Sequence, residues 1–98
     1  MQDAFFEWDD DKADGNKEHG VTFEEARKAF DDLHSIDLYD KDHSTMNEAR
    51  FVRIGLTEKG VLFVIYVMTE EGRVRIIHAR KASKALVNMY EEERGQDE

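Results

Sequence analysis

Eight basic side chains, Arg50, Arg53, Lys59, Arg73, Arg75, Arg80, Lys81 and Lys84, fall between residues 50 and 84, opposed there only by Glu58, Glu70 and Glu71. That segment carries +5 in a chain whose formal charge is -9, so the remainder carries -14. Guanidinium and ammonium groups gathered on one patch of an acidic protein suit a polyanion such as a phosphate chain. The same residues could instead be the solvated face of a sheet. His19 adds a group that titrates at about 6.5 when unperturbed and so can move a proton near neutral pH. Standing just before Gly20, it could equally belong to a helix C-terminal cap. His34, His43 and His78, with Asp40 and Asp42, match no closed metal-ligand spacing and read as surface residues. The chain has no cysteine, which excludes disulfides and thiolate zinc sites. No metal and no cofactor are expected.

These side chains must be positioned by a small core. Ninety-eight residues predict one domain over 1–98, and 40% hydrophobic content is enough to build its interior. The acidic residues concentrate in Met1 to Ala49, 15 of them against 5 basic, and in the tail from Glu91, which argues against general coating of nucleic acid and for a local basic site. The longest apolar run, Val61 to Met68, is a strand's length and far too short to cross a bilayer as a helix. Met1-Gln2-Asp3-Ala4 lacks the basic and apolar regions of a secretion signal, so a soluble, cytoplasmic protein without a membrane partner is expected.

Ala4 to Trp8 reads as a first strand, with Phe6 and Trp8 as core anchors and Glu7 on the other face, reaching a site or water. Asp10 to Glu18 reads as a short helix closed by Gly20. Thr22 and Glu25 have the spacing of a capping box with Val21 as its staple, opening a helix whose Phe23, Ala26, Phe30 and Leu33 form one buried face. Ser35 to Tyr39 is a weak strand and Asp40 to Glu48 a polar loop. Arg50 to Leu56 alternates, Val52, Ile54 and Leu56 opposing Phe51 and Arg53. Turns at Glu58-Lys59-Gly60 and Glu70-Glu71-Gly72 connect it to Val61–Met68, with Tyr66 in the core, and then to Arg73–Arg80. Ser83 to Arg94 predicts a final helix, with Leu86, Met89 and Tyr90 on one face. The expectation is an α+β fold: an antiparallel sheet with a C-terminal meander, two N-terminal helices and one C-terminal helix, the helices covering one sheet face.

Taken in order, Phe6-Glu7-Trp8-Asp9, Lys12, Asn16, His19 to Ala26, Asp42-His43-Ser44, Arg50-Phe51 and Arg75 to Ala82 resemble the BrnT toxin family over roughly Phe5 to Glu92. The resemblance implies a RelE-like fold and a ribonuclease toxin of a type II toxin–antitoxin pair. It also implies a BrnA-like, DNA-binding antitoxin as partner, an RNA substrate, and contact with operator DNA only through that antitoxin. Asp10 stands where the family usually has proline, Glu18 where a basic residue usually precedes His19, and His78 where a small serine is common. The interval after Asn16 is one residue short.

Metal-independent RNA cleavage needs a base for the ribose 2′-hydroxyl, cations for the phosphate charge and an acid for the leaving oxygen. Given the resemblance, Arg80, His19, Lys12 and Arg50 are the catalytic candidates, with Arg80 stabilising the transition state, Arg50 and Lys12 gripping phosphate and His19 acting as base. Arg80 ends the last strand just before a helix start, where backbone donors also favour phosphate; a salt bridge to the acidic N-terminal half is the alternative. Strict alternation places Val74, Ile76, His78 and Arg80 on one face of their strand and Arg73 and Arg75 on the other, so they cannot serve one site unless a bulge intervenes. Arg53, Arg73, Arg75 and Lys81 are therefore expected to position RNA. The competing class is a catalytically inactive RelE-like protein that only binds a partner, motivated by Glu18 and the net acidity.

Overall fold

Local signals are obeyed at the helix starts. In the computed structural model, which describes residues 5–96, the Glu25 N–H donates to Thr22 Oγ1 (3.0 Å) and the Thr22 N–H donates to Glu25 Oε1 (2.9 Å). This reciprocal capping box opens helix α2 (Phe23–Arg27), which tightens into a 3₁₀ turn at Lys28–Asp31. Helix α1 (Asp10–Asn16) is capped by Asp9, whose Oδ1 accepts from the Asp11 and Lys12 N–H groups, and ends in a 3₁₀ turn, Lys17–His19. Gly20 then adopts a left-handed φ of 76°, the conformation glycine takes without steric cost.

The expected buried face of α2 stops short of Leu33, which is 97% exposed. The helix has already ended, because the Asp32 carboxylate draws the chain into a turn. It accepts from the His34 N–H, the Leu56 N–H and the Tyr90 hydroxyl, and so ties this turn to the sheet and to the final helix. Burial opposes ionisation of Asp32, yet those donors hold its carboxyl below the usual carboxylate range.

The sheet comprises β1 (Phe6–Trp8), β2 (Ile36–Tyr39), β3 (Ala49–Thr57), β4 (Gly60–Met68) and β5 (Val74–Lys81), and helix α3 (Lys84–Gln96) follows. The strand order is β1-β5-β4-β3-β2. Neighbours are antiparallel except that β1 runs parallel to β5, aligning Phe6 with Val74, Glu7 with Arg75 and Trp8 with Ile76. The fold is α+β as expected, but the sheet is mixed and not wholly antiparallel. The chain leaves β1 through α1 and α2, builds β2 to β4, and returns beside its own start, which makes the closing pair parallel.

Trp8, Val21, Phe23, Ala26, Ala29, Leu62, Val64, Ile76 and Ala79 form the core between α2 and one sheet face. Gly55 lies where β3 passes beneath the turn after α2, and a Cβ there would come within 2.7 Å of the Ala29 carbonyl oxygen. Asn16, 4% exposed, fixes α1 to the edge of β5 beyond the end of β1. Its amide donates to the Ala79 and Val21 carbonyls (2.8 Å each), and its Oδ1 accepts from the Ala79 N–H at 3.0 Å. No helix among the described residues is long and apolar enough to cross a membrane.

Candidate functional site

Strand β5 decides which basic residues can meet. Pairing with β4 runs Val67 to Arg75 and Tyr66 to Ile76, then resumes with Ile65 to His78, Val64 to Ala79 and Phe63 to Arg80. Ile77 is the unpaired residue of a β-bulge, and it resets the alternation. Ile76 and Ala79 therefore both face the core, while Arg75, His78 and Arg80 all fall on the opposite face. Strict alternation, which groups Ile76 with His78 and Arg80, fails here because one extra residue shifts every following side chain to the other face.

The same register builds a row across that opposite face: Arg50 of β3, Val67 of β4, Arg75 of β5 and Glu7 of β1. A cleft of about 460 Å³ opens beside it, lined by Glu7, Asp9, Lys12, Glu48, Arg50 and Arg75 among others. Arg50 keeps its Nε buried without a hydrogen-bond partner. Glu7 sits at the edge-strand end of the row and takes two cations. The Arg75 guanidinium meets it at 2.8–2.9 Å, and Arg73 Nε donates to it at 2.7 Å. These bonds, from Arg75 first and Arg73 second, hold the Glu7 carboxyl below the usual carboxylate range.

Further along β5 the His78 ring meets the His19 ring edge to face, with centroids 4.9 Å apart and planes at 76°. Burial, then the charges of His19 and Arg80, hold the His78 imidazole below its ordinary pKa. The Arg80 guanidinium lies 4.1 Å from the Phe63 ring centroid, and its Nη1 donates to the Lys81 carbonyl at 3.4 Å. The alternative of a salt bridge to the acidic half is not made, since Arg80 has no carboxylate partner among the described residues.

Helix α1 supplies the other wall. Lys12 and His19 are seven residues apart, about two helical turns, and so lie on a similar side of the α1 segment. Because Asn16 binds the segment to Ala79, Lys12 reaches the Arg75 end of β5 and His19 the His78 end. The result is a strip between α1 and β5 with Lys12, Arg50 and Arg75 at one end and His19, His78 and Arg80 at the other. Such a strip can neutralise consecutive phosphates and hold an imidazole near one of them.

Two candidates are not brought to it. Arg53 lies on the helix-covered face, where Nε and Nη2 grip Asp37 at 2.8 and 2.7 Å and the guanidinium stacks 4.4 Å from the Phe30 ring centroid. Burial works against its charge, but Asp37 more than offsets that. Tyr66 donates to the same Asp37, and burial with that bond pushes its hydroxyl up to about 12. Lys81, opposite Leu62, also falls on the helix-covered side at the strand end. Arg73 stands just before β5 and is tied to Glu7 and the Phe6 carbonyl. From sequence His78 reads as a surface residue and Glu7 as reaching either a site or water, so neither is among the named site candidates. The available signals were the apolar pair Ile76-Ile77, where a bulge can hide, and Glu7's place opposite Phe6 and Trp8. Among the described residues no group of three or more His, Cys, Asp or Glu could hold a metal ion.

No curated protein matches the chain. Residues 8–85 match the family described as ribonuclease toxin, BrnT, of type II toxin-antitoxin system. That match spans both walls of the strip, from Trp8 through Lys12 and His19 to Arg80, and most of the chain. The protein therefore belongs to the BrnT family of ribonuclease toxins of type II toxin–antitoxin systems.

Proposed function

We propose that the chain is a metal-independent endoribonuclease toxin of RelE-like fold. In this reading it cleaves RNA in the cytoplasm and is neutralised by a BrnA-like antitoxin. The observation that carries the reading is the bulge at Ile77, which puts Arg75, His78 and Arg80 on one face beside Lys12, His19 and Arg50. Lys12 and Arg50 grip the phosphate chain, Arg80 neutralises charge that develops on the reacting phosphate, and His19 moves a proton. Arg75 and Arg73 position RNA while sharing Glu7.

The antitoxin lies over the strip and excludes RNA by competition, and operator DNA is bound through the antitoxin alone. Expression of the chain without an antitoxin tests this reading. Growth arrest with loss of cellular RNA is expected for the parent, and relief for a soluble, folded Arg80→Ala variant. Arrest that persists unchanged in that variant, or RNA that stays intact during arrest, would count against it. The second reading, a partner-binding protein without activity, is favoured by the engagement of Arg73 and Arg75 with Glu7, and it predicts no arrest from either protein.

A further inference from the structure

We propose that His78 and His19 form the proton-transfer pair of this site, His78 accepting the proton of the attacking ribose 2′-hydroxyl and His19 supplying one to the leaving 5′-oxygen. The inference rests on the ribonuclease reading and gives it a second imidazole. Three observations carry it. The rings come from separate elements, the 3₁₀ turn after α1 and strand β5, yet meet at 4.9 Å. Neither ring is hydrogen-bonded to any group among the described residues. Arg80 projects from the same face two residues beyond His78.

The charged surroundings define the working state. The groups that act on His78 are His19 from the α1 segment and Arg80 from its own strand, and both are basic. Among the described residues no carboxylate acts on it to hold a proton on the ring. Burial first, and then these two basic neighbours, favour the neutral form of the His78 ring. The half-buried His78 is thereby free to accept a proton, and His19, the exposed ring, is the one placed to supply one.

The step balances without a metal or an added water. The O–H bond of the 2′-hydroxyl breaks and its proton passes to a free nitrogen of His78. The 2′-oxygen bonds to phosphorus as the bond from phosphorus to the 5′-oxygen breaks, and that oxygen takes its proton from the His19 imidazolium. Arg80 offsets the charge on the non-bridging oxygens. The products are a 2′,3′-cyclic phosphate and a 5′-hydroxyl, and exchange with solvent returns the proton from His78 to His19.

Cleavage of a labelled RNA by the full chain, followed from pH 5 to 9 for the parent, His78→Asn and His19→Asn, tests the assignment. The parent should give a bell-shaped rate profile and a cyclic-phosphate end. His78→Asn should lose the acidic limb and His19→Asn the alkaline limb, each with a fall in kcat on the order of 10²–10⁴-fold, the range of general acid–base contributions. If the parent cleaves and His78→Asn keeps both its rate and its bell, the pair is wrong while the ribonuclease reading stands. If the parent does not cleave at all, both fall.

A mutation-free measurement guards against a variant that merely unfolds. Histidine NMR of the parent should place the His78 imidazole below its ordinary pKa, and uridine 3′-monophosphate should shift the signals of both rings. Ring signals that ignore the nucleotide would overturn the pair.

Discussion

The strip joins cations that differ in how far they are already committed. Lys12 and Arg50 have no ion-pair partner among the described residues, whereas Arg73 and Arg75 share Glu7. Glu7→Gln should therefore release two guanidinium groups, tightening binding of a non-cleavable RNA several-fold at low salt. Fluorescence anisotropy checks this, and weaker binding would mean that Glu7 positions the arginines for RNA and does not withhold them. The same carboxylate makes stability pH-dependent. Its folded pKa lies below the ordinary value of 4.5, so its contribution is fully present above that value and is lost as pH falls through the lower folded pKa. Denaturant unfolding of parent and Glu7→Gln should differ by about 1–2 kcal/mol near neutral pH, discounted for the partial exposure of Arg75. The difference should shrink towards zero in acid, and one that does not change with pH would remove Glu7 as its source.

At the scale of elements, Asn16 and the bulge at Ile77 set the geometry. Asn16 satisfies both backbone groups of Ala79 at the β5 edge, so Asn16→Ala leaves a buried donor and acceptor unpaired. A loss of about 2–4 kcal/mol is expected in chemical denaturation, together with weaker RNA binding as α1 loosens from β5. A loss below about 0.5 kcal/mol would show that water replaces the amide there. These devices were hard to read from the chain, and the reasons are physical. Capping at Thr22 and alternation in β3 and β4 are local, so helices and strands could be placed. Ile76 and Ile77 are equally apolar, so sequence cannot say which turns inward and which is the extra residue. The β1–β5 pairing joins segments nearly 70 residues apart, and no short-range pattern encodes it. Arg53 fits the alternation of β3, but which face carries the helices is set by the tertiary core. The family resemblance offers Arg80, Arg50, Lys12 and His19 as candidates, while the place of His78 on their face needed the register.

For the whole molecule, net charge and local charge pull in opposite directions. A chain at -9 repels a polyanion over a Debye length of roughly 8–10 Å, whereas the strip gathers basic side chains that oppose this locally. Single-strand affinity should fall with salt at a slope of about -0.7 for each phosphate neutralised, so Arg50→Ala should flatten the slope by roughly that amount. An unchanged slope would place RNA away from the cleft. The central claim is that this strip cleaves RNA without a metal. Its most direct test is cleavage of an end-labelled RNA in EDTA by the purified, antitoxin-free chain beside a folded Arg80→Ala variant. The account predicts cleavage by the parent and a loss on the order of 10²–10³-fold in the variant, the scale of removing one transition-state donor. Cleavage that vanishes in EDTA, or equal rates from both proteins, would contradict it.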